Sequence, residues 1–113
     1  MPERFKAAAQ QAVGTLFAQY AEFLVAGEYQ REGAALAQVK FLAMPVPAAL
    51  VDGTIVQPND EKLLFDAVEL AAVTQPRPGD GVVQATTGLS RDIITAHLDV
   101  TGSYWAMVAR KKL

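Results

Sequence analysis

The chain has 113 residues, 51% of them hydrophobic, with 10 Lys and Arg against 12 Asp and Glu for a net charge of −2. That length suits one domain with one core, and the slightly acidic balance offers no global attraction to nucleic acid or anionic lipid. No segment approaches the ~20 uninterrupted apolar residues of a membrane span. The start MPERFKAAAQ lacks the apolar stretch of a secretory signal, and the absence of cysteine excludes disulfides, thiol catalysis and the usual structural zinc sites.

From Phe5, apolar residues at Ala8, Ala9, Ala12, Val13, Leu16, Phe17 and Tyr20 follow the spacing of an amphipathic helix, predicted over about 3–22. Phe23 and Leu24 continue that face until Gly27 stops it. The stretch EFLVAGEYQRE also reads as extended, with Phe23, Val25 and Tyr29 on one side, so the helix end falls between Tyr20 and Ala26. A β-domain over about 25–110 follows. It opens with a hairpin that breaks at Gly33 and returns from Leu36 to Met44.

Pro45 to Asp60, PVPAALVDGTIVQPND, holds three prolines and an Asp-Gly pair, which predicts a long inter-strand loop over 45–60. Its centre, Leu50, Val51, Asp52, Gly53, Thr54, Ile55 and Val56, mixes turn residues with apolar ones that a free loop does not need. Two readings stand: a packed satellite cluster under the loop, or a loop mobile in the free chain and ordered by neighbouring copies.

Glu61 to Leu70 reads as a strand followed by a helical turn. In PRPGD, the prolines at Pro76 and Pro78 fix φ, Gly79 tolerates positive φ and Asp80 can bond its own backbone, so this is a rigid turn that delivers a strand. Ile94, Ala96, Leu98 and Val100 alternate with polar residues as a half-buried strand. Tyr104 to Ala109 is apolar on both faces, which predicts either a central strand or one covered on its second side by the N-terminal helix, with Tyr104 and Trp105 facing opposite ways. The expected fold is mainly β with one N-terminal α-helix: a small antiparallel β-barrel or sandwich, without internal repeats.

Candidate chemistry is sparse, and no catalytic, cofactor-binding or metal-ligating residue is assigned. His97 is the sole histidine, and no motif ties it to Ser90, Ser103 or a carboxylate. Asp60 with Glu61, and Asp66 with Glu69, read as solvated acids, and Arg110, Lys111 and Lys112 as a solvated basic tail. The Gly79–Gly81 pair precedes a strand and lacks the continuation of a phosphate-binding loop.

The order QPNDEKLLFDAVELAAVTQPRPGDGVV, IITAHLDV, YWAMVARK resembles small head-to-tail connector proteins of tailed phages and gene transfer agents, the stopper, head-completion or joining proteins. The matching positions are Asp60, Leu63 to Ala67, Pro76, Gly79, Asp80, Ile94 to Val100, Tyr104, Trp105 and Arg110; TTGLSRD is an insertion where that family often has a short glycine hairpin. The resemblance implies a β-barrel subunit of a homo-oligomeric ring, commonly a hexamer, between portal and adaptor rings and the tail. Its long loop would lie along the channel near packaged DNA and help retain it. The chain would reside in the host cytoplasm before assembly and in a virion or virion-like particle afterwards, with no membrane partner. The alternative reading is a cellular β-barrel module that binds a peptide or small ligand through Trp105 or a strand edge.

Overall fold

In the computed structural model, which describes residues 3–112, the amphipathic segment forms helix α1 over Glu3–Gln19. A 3₁₀ turn at Ala21–Phe23 follows, so the α-helix ends three residues before the expected limit at 22 and the chain is extended by Leu24. Phe17 is buried, whereas Leu16, Tyr20 and Phe23 stay exposed. The helix lies beside β3, and its apolar stripe is only partly covered.

Six strands follow: β1 Val25–Arg31, β2 Ala34–Pro45, β3 Glu61–Asp66, β4 Gly81–Gln84, β5 Ser90–Leu98 and β6 Tyr104–Lys111. Every pairing is antiparallel, and the order β1-β2-β3-β6-β5-β4 closes on itself, so the fold is a barrel and not a sandwich. The first hairpin turns at Glu32 and Gly33, both at positive φ (54° and 80°), as a two-residue turn between twisted strands requires.

Gly27 does not stop the helix; it lies inside β1. A side chain there would put Cβ 2.8 Å from the Val83 carbonyl oxygen and 3.2 Å from Val82 Cγ1, so glycine is what lets β1 and β4 approach. Tyr29, Phe41, Leu63, Phe65, Ile93 and Met107 point into the barrel, where Phe65 meets Tyr29 edge-on at 6.2 Å and Phe41 at 5.3 Å. Leu70 and Val73, from the helical turn after β3, enter the same core.

The alternation expected of β5 is corrected, and of the two readings of the last strand the central one holds, since β6 is paired on both sides by β3 and β5. In β5 the register shifts between Ile93 and Thr95, so Ile93 and Ala96 pack toward the core. Ile94 joins a second cluster instead, Leu98 is half exposed and Val100 is the most exposed large apolar residue among those described. A one-residue bulge flips the faces on either side of it, which simple alternation does not anticipate. In β6, Met107 and Ala109 face the core, but Val108 on the outer face is covered by Val46 and Val56 of the long loop and not by the helix. The helix instead lines a groove with Tyr104, Lys62 and Leu64 nearer the other end of β6. Among the described residues no helix is long and apolar enough to cross a membrane.

Candidate functional site

The PRPGD turn does more than redirect the chain. Asp80 at its end is buried, and its carboxylate accepts hydrogen bonds from Tyr29 Oη (2.6 Å), Arg31 Nε and Nη2 (both 2.9 Å) and the Arg77 amide (3.1 Å). Burial pushes its pKa up, but the bonds from Arg31, Tyr29 and Arg77 outweigh it and hold the carboxyl below the usual range. Burial and the bond to Asp80 push the Tyr29 hydroxyl far up, so it stays a donor. Gly79 sits at φ +93°, and its amide reaches the Ile93 carbonyl at 3.0 Å. Pro76 and Pro78 flank Arg77, whose carbonyl accepts the Asp80 amide at 3.2 Å.

The same device occurs at the end of the long loop, which corrects the reading of Asp60 and Arg110 as solvated. Gln57-Pro58-Asn59-Asp60 repeats Arg77-Pro78-Gly79-Asp80. Asp60 Oδ2 accepts the Gln57 amide (2.9 Å), the Asp60 amide reaches the Gln57 carbonyl (3.1 Å), and Arg110 bonds both carboxylate oxygens (2.9 and 3.0 Å). Even the fifth contact matches. Arg110 Nη2 donates to the carbonyl of Ile55, as Arg31 Nη2 does to that of Gln75, each five residues before the aspartate. In both cases the residue after the aspartate pairs with the residue before the arginine: Glu61 with Ala109, Gly81 with Gln30.

The two clips sit at opposite ends of the barrel. Asp80 shares strand parity with the inward Val82 and closes one mouth, while Asp60 shares parity with Lys62 and Leu64 and lies on the outer wall. Inside the second mouth, Arg91 stands over the Phe41 ring at 5.5 Å and donates to Glu61 (2.8 Å) and Gln84 (3.1 Å). Glu61 is therefore paired, not free in solvent. In the basic tail, Lys111 lies 3.9 Å from Glu61 and Lys112 lies 3.5 Å from Asp92.

The long loop is built outward from the Asp60 clip. After β2 it forms a 3₁₀ turn at Ala48–Leu50, then a tight turn in which Asp52 Oδ1 accepts the amides of Thr54 (2.8 Å), Ile55 (2.8 Å) and Val56 (3.0 Å). Those bonds lower the Asp52 pKa. Gly53 takes φ +78° within the turn. Val56 is buried with Val46 and Val108, and Val51 packs against them, so the satellite cluster is present. Leu50 and Ile55 are left half exposed, one on each side of the turn.

Between Leu50 and the outer face of β5 and β6 runs a groove of about 210 Å³, floored by Ala106 and Val108 and bordered by Lys62, Thr95 and His97. His97 faces this groove. Its nearest sequence acid, Asp99, is engaged by the amide and hydroxyl of Thr101, and Ser103 is buried beneath that turn. Trp105 packs against the barrel core while Tyr104 lines the helix groove, so the two do face opposite ways. No family model matches the chain, and no curated protein matches it.

Proposed function

We propose that the protein is a structural subunit of a head-to-tail connector ring, acting by assembly and occlusion in a virion or virion-like particle. The observation that carries this reading is the long loop fixed at its base to the outer barrel wall through Asp60 and Arg110, while its crown presents Leu50 and Ile55 to solvent. Such a loop suits burial against a neighbouring subunit, where exposed aliphatic side chains on a rigid support lose little entropy on contact. Asp60, Asp80 and Arg110, three of the positions that carry the resemblance to connector proteins, all belong to the clips that hold the barrel rigid. The loop would line or narrow the channel and hold packaged DNA by steric blockage. A homo-oligomer, a hexamer by the resemblance, would meet portal and adaptor on one side and tail proteins on the other.

Co-expression with portal and adaptor proteins from the same genome tests the assignment. The connector reading expects the chain to co-purify with their complex in one fixed stoichiometry; absence of binding to the assembled portal and adaptor contradicts it. The groove beside His97 favours the second reading, a module that binds an apolar peptide or small ligand.

A further inference from the structure

The barrel closes, but two stretches of it have a partner on one side only. β1 pairs with β2 from Ala34 to Phe41, whereas β3 pairs with β2 only from Leu42 to Pro45. Among the described residues no backbone hydrogen bond reaches Ala34–Val39 from the β3 side. Likewise β6 pairs with β5 out to Leu98, while the β4 side is bonded only as far as Ile93, through Gly79 and Asp80. Thr95–Leu98 is the second open edge.

One feature of the chain path creates both. β3 ends at Asp66 and β4 starts at Gly81, and the connection between them sends Leu70 and Val73 into the mouth instead of along either hairpin. β1 and β5 are both antiparallel to β4, so the β1–β2 and β5–β6 turns lie at this same end. β2 and β5 stand opposite each other in the six-strand order. Thus two hairpins rise past the mouth on opposite sides, each with one free edge.

Natural proteins usually blunt such edges with charge, proline or a bulge, and of these the first edge carries only the bulge at Leu36. Ala34–Val39 (AALAQV) and Thr95–Leu98 (TAHL) contain no proline, lysine, arginine or acid. Beside the first edge Leu36, the extra residue of a bulge, is 38% exposed; beside the second, Leu98 is 48% and Val100 89% exposed. Unpaired main-chain donors and acceptors select an extended backbone as their partner, and the flanking aliphatic side chains select another apolar rim.

We infer that copies of this chain associate head to tail by strand pairing, the Ala34–Val39 edge of one joining the Thr95–Leu98 edge of the next. Two different edges on opposite sides make a heterologous contact, which repeats into a ring or a filament. The inference supplies the subunit contact for the connector reading, but only ring closure rests on that reading. The pairing itself is a property of the isolated protein.

The cysteine-free sequence gives a direct test. Leu36→Cys and Leu98→Cys proteins, each shown to keep the parent melting profile, are mixed and oxidised at rising concentration up to the solubility limit. Head-to-tail pairing yields the mixed Leu36→Cys/Leu98→Cys dimer at least about fivefold above random pairing, and the double variant yields a ladder of multimers. In the unmodified chain, amide exchange across 34–39 and 95–98 slows together as concentration rises. Predominant homodimers of either variant, or no cross-link with exchange independent of concentration, overturns the inference. Neither result bears on whether the chain binds a portal and adaptor complex, which co-purification reads separately.

Discussion

Arg31 and Asp80, 49 residues apart in sequence, form a two-bond ion pair inside one mouth of the barrel, with side-chain exposures of 20% and 1%. Tyr29 and the Arg77 amide supply the remaining donors, so the buried charge is fully engaged. Removing the carboxylate leaves a buried phenol and one edge of the partly exposed Arg31 guanidinium unmatched. Asp80→Ala should therefore cost about 3 kcal/mol of stability, and Tyr29→Phe, which removes one donor and no volume, about 1 to 2 kcal/mol. Urea denaturation of both variants measures this; equal midpoints would show that the clip does not hold the barrel.

Acid should act through the same groups. Asp60 and Asp80 both have carboxyls held below their ordinary range, Asp60 mainly by Arg110 and Asp80 by bonds that outweigh its burial. A depressed folded pKa means that the unfolded chain takes up protons first. The contribution is complete above the unfolded carboxyl value of about 4 and is lost as pH falls through the lower folded values. Melting temperature should hold steady from neutral pH to about 5 and fall steeply below 4, less steeply in Asp80→Asn. A wild-type melt that stays flat down to about pH 2 would contradict this.

Gly79 tests the turn geometry. At φ +93° a β-branched residue is strained, so Gly79→Val should destabilise the domain by about 1 kcal/mol or more. An unchanged denaturation midpoint would place Gly79 in an ordinary backbone region. Gly27→Ala should also destabilise, for a different reason: its Cβ would press on the Val83 carbonyl and force β1 away from β4.

The crown of the long loop takes its side-chain acceptor from Asp52, alongside the Asp52 and Gly53 amides that donate to the Val56 carbonyl and Arg110 that donates to that of Ile55. Asp52→Ala removes the acceptor of three consecutive amides, so hydrogen exchange at Thr54, Ile55 and Val56 should accelerate while the melting temperature changes little. A large drop in melting temperature would instead make this turn part of the core's cooperative unit.

Much of the fold is legible in the sequence because it is written locally. The helical spacing around Phe17, the break at Gly33, the strand from Glu61 and the PRPGD corner each depend on neighbours within a few positions. Gly27 misleads because a glycine needed for close strand approach looks the same as one that ends a helix. Ile94 misleads because the bulge it forms between Ile93 and Thr95 carries no sequence mark and reverses the alternation. The Asp60–Arg110 pair spans 50 residues and leaves no local trace, although the shared spelling of QPND and RPGD was a readable sign that both aspartates have the same task.

Retention of packaged DNA separates a connector subunit from a ligand-binding module. Particles assembled without this chain, with the portal, adaptor and capsid genes intact, should be measured for DNA content and attached tails after purification. The account predicts heads that lose their DNA and carry no tails, with retention restored by the unmodified chain and impaired by a Leu50→Asp, Ile55→Asp variant that still incorporates. Tailed, DNA-filled particles in the absence of the chain would contradict it.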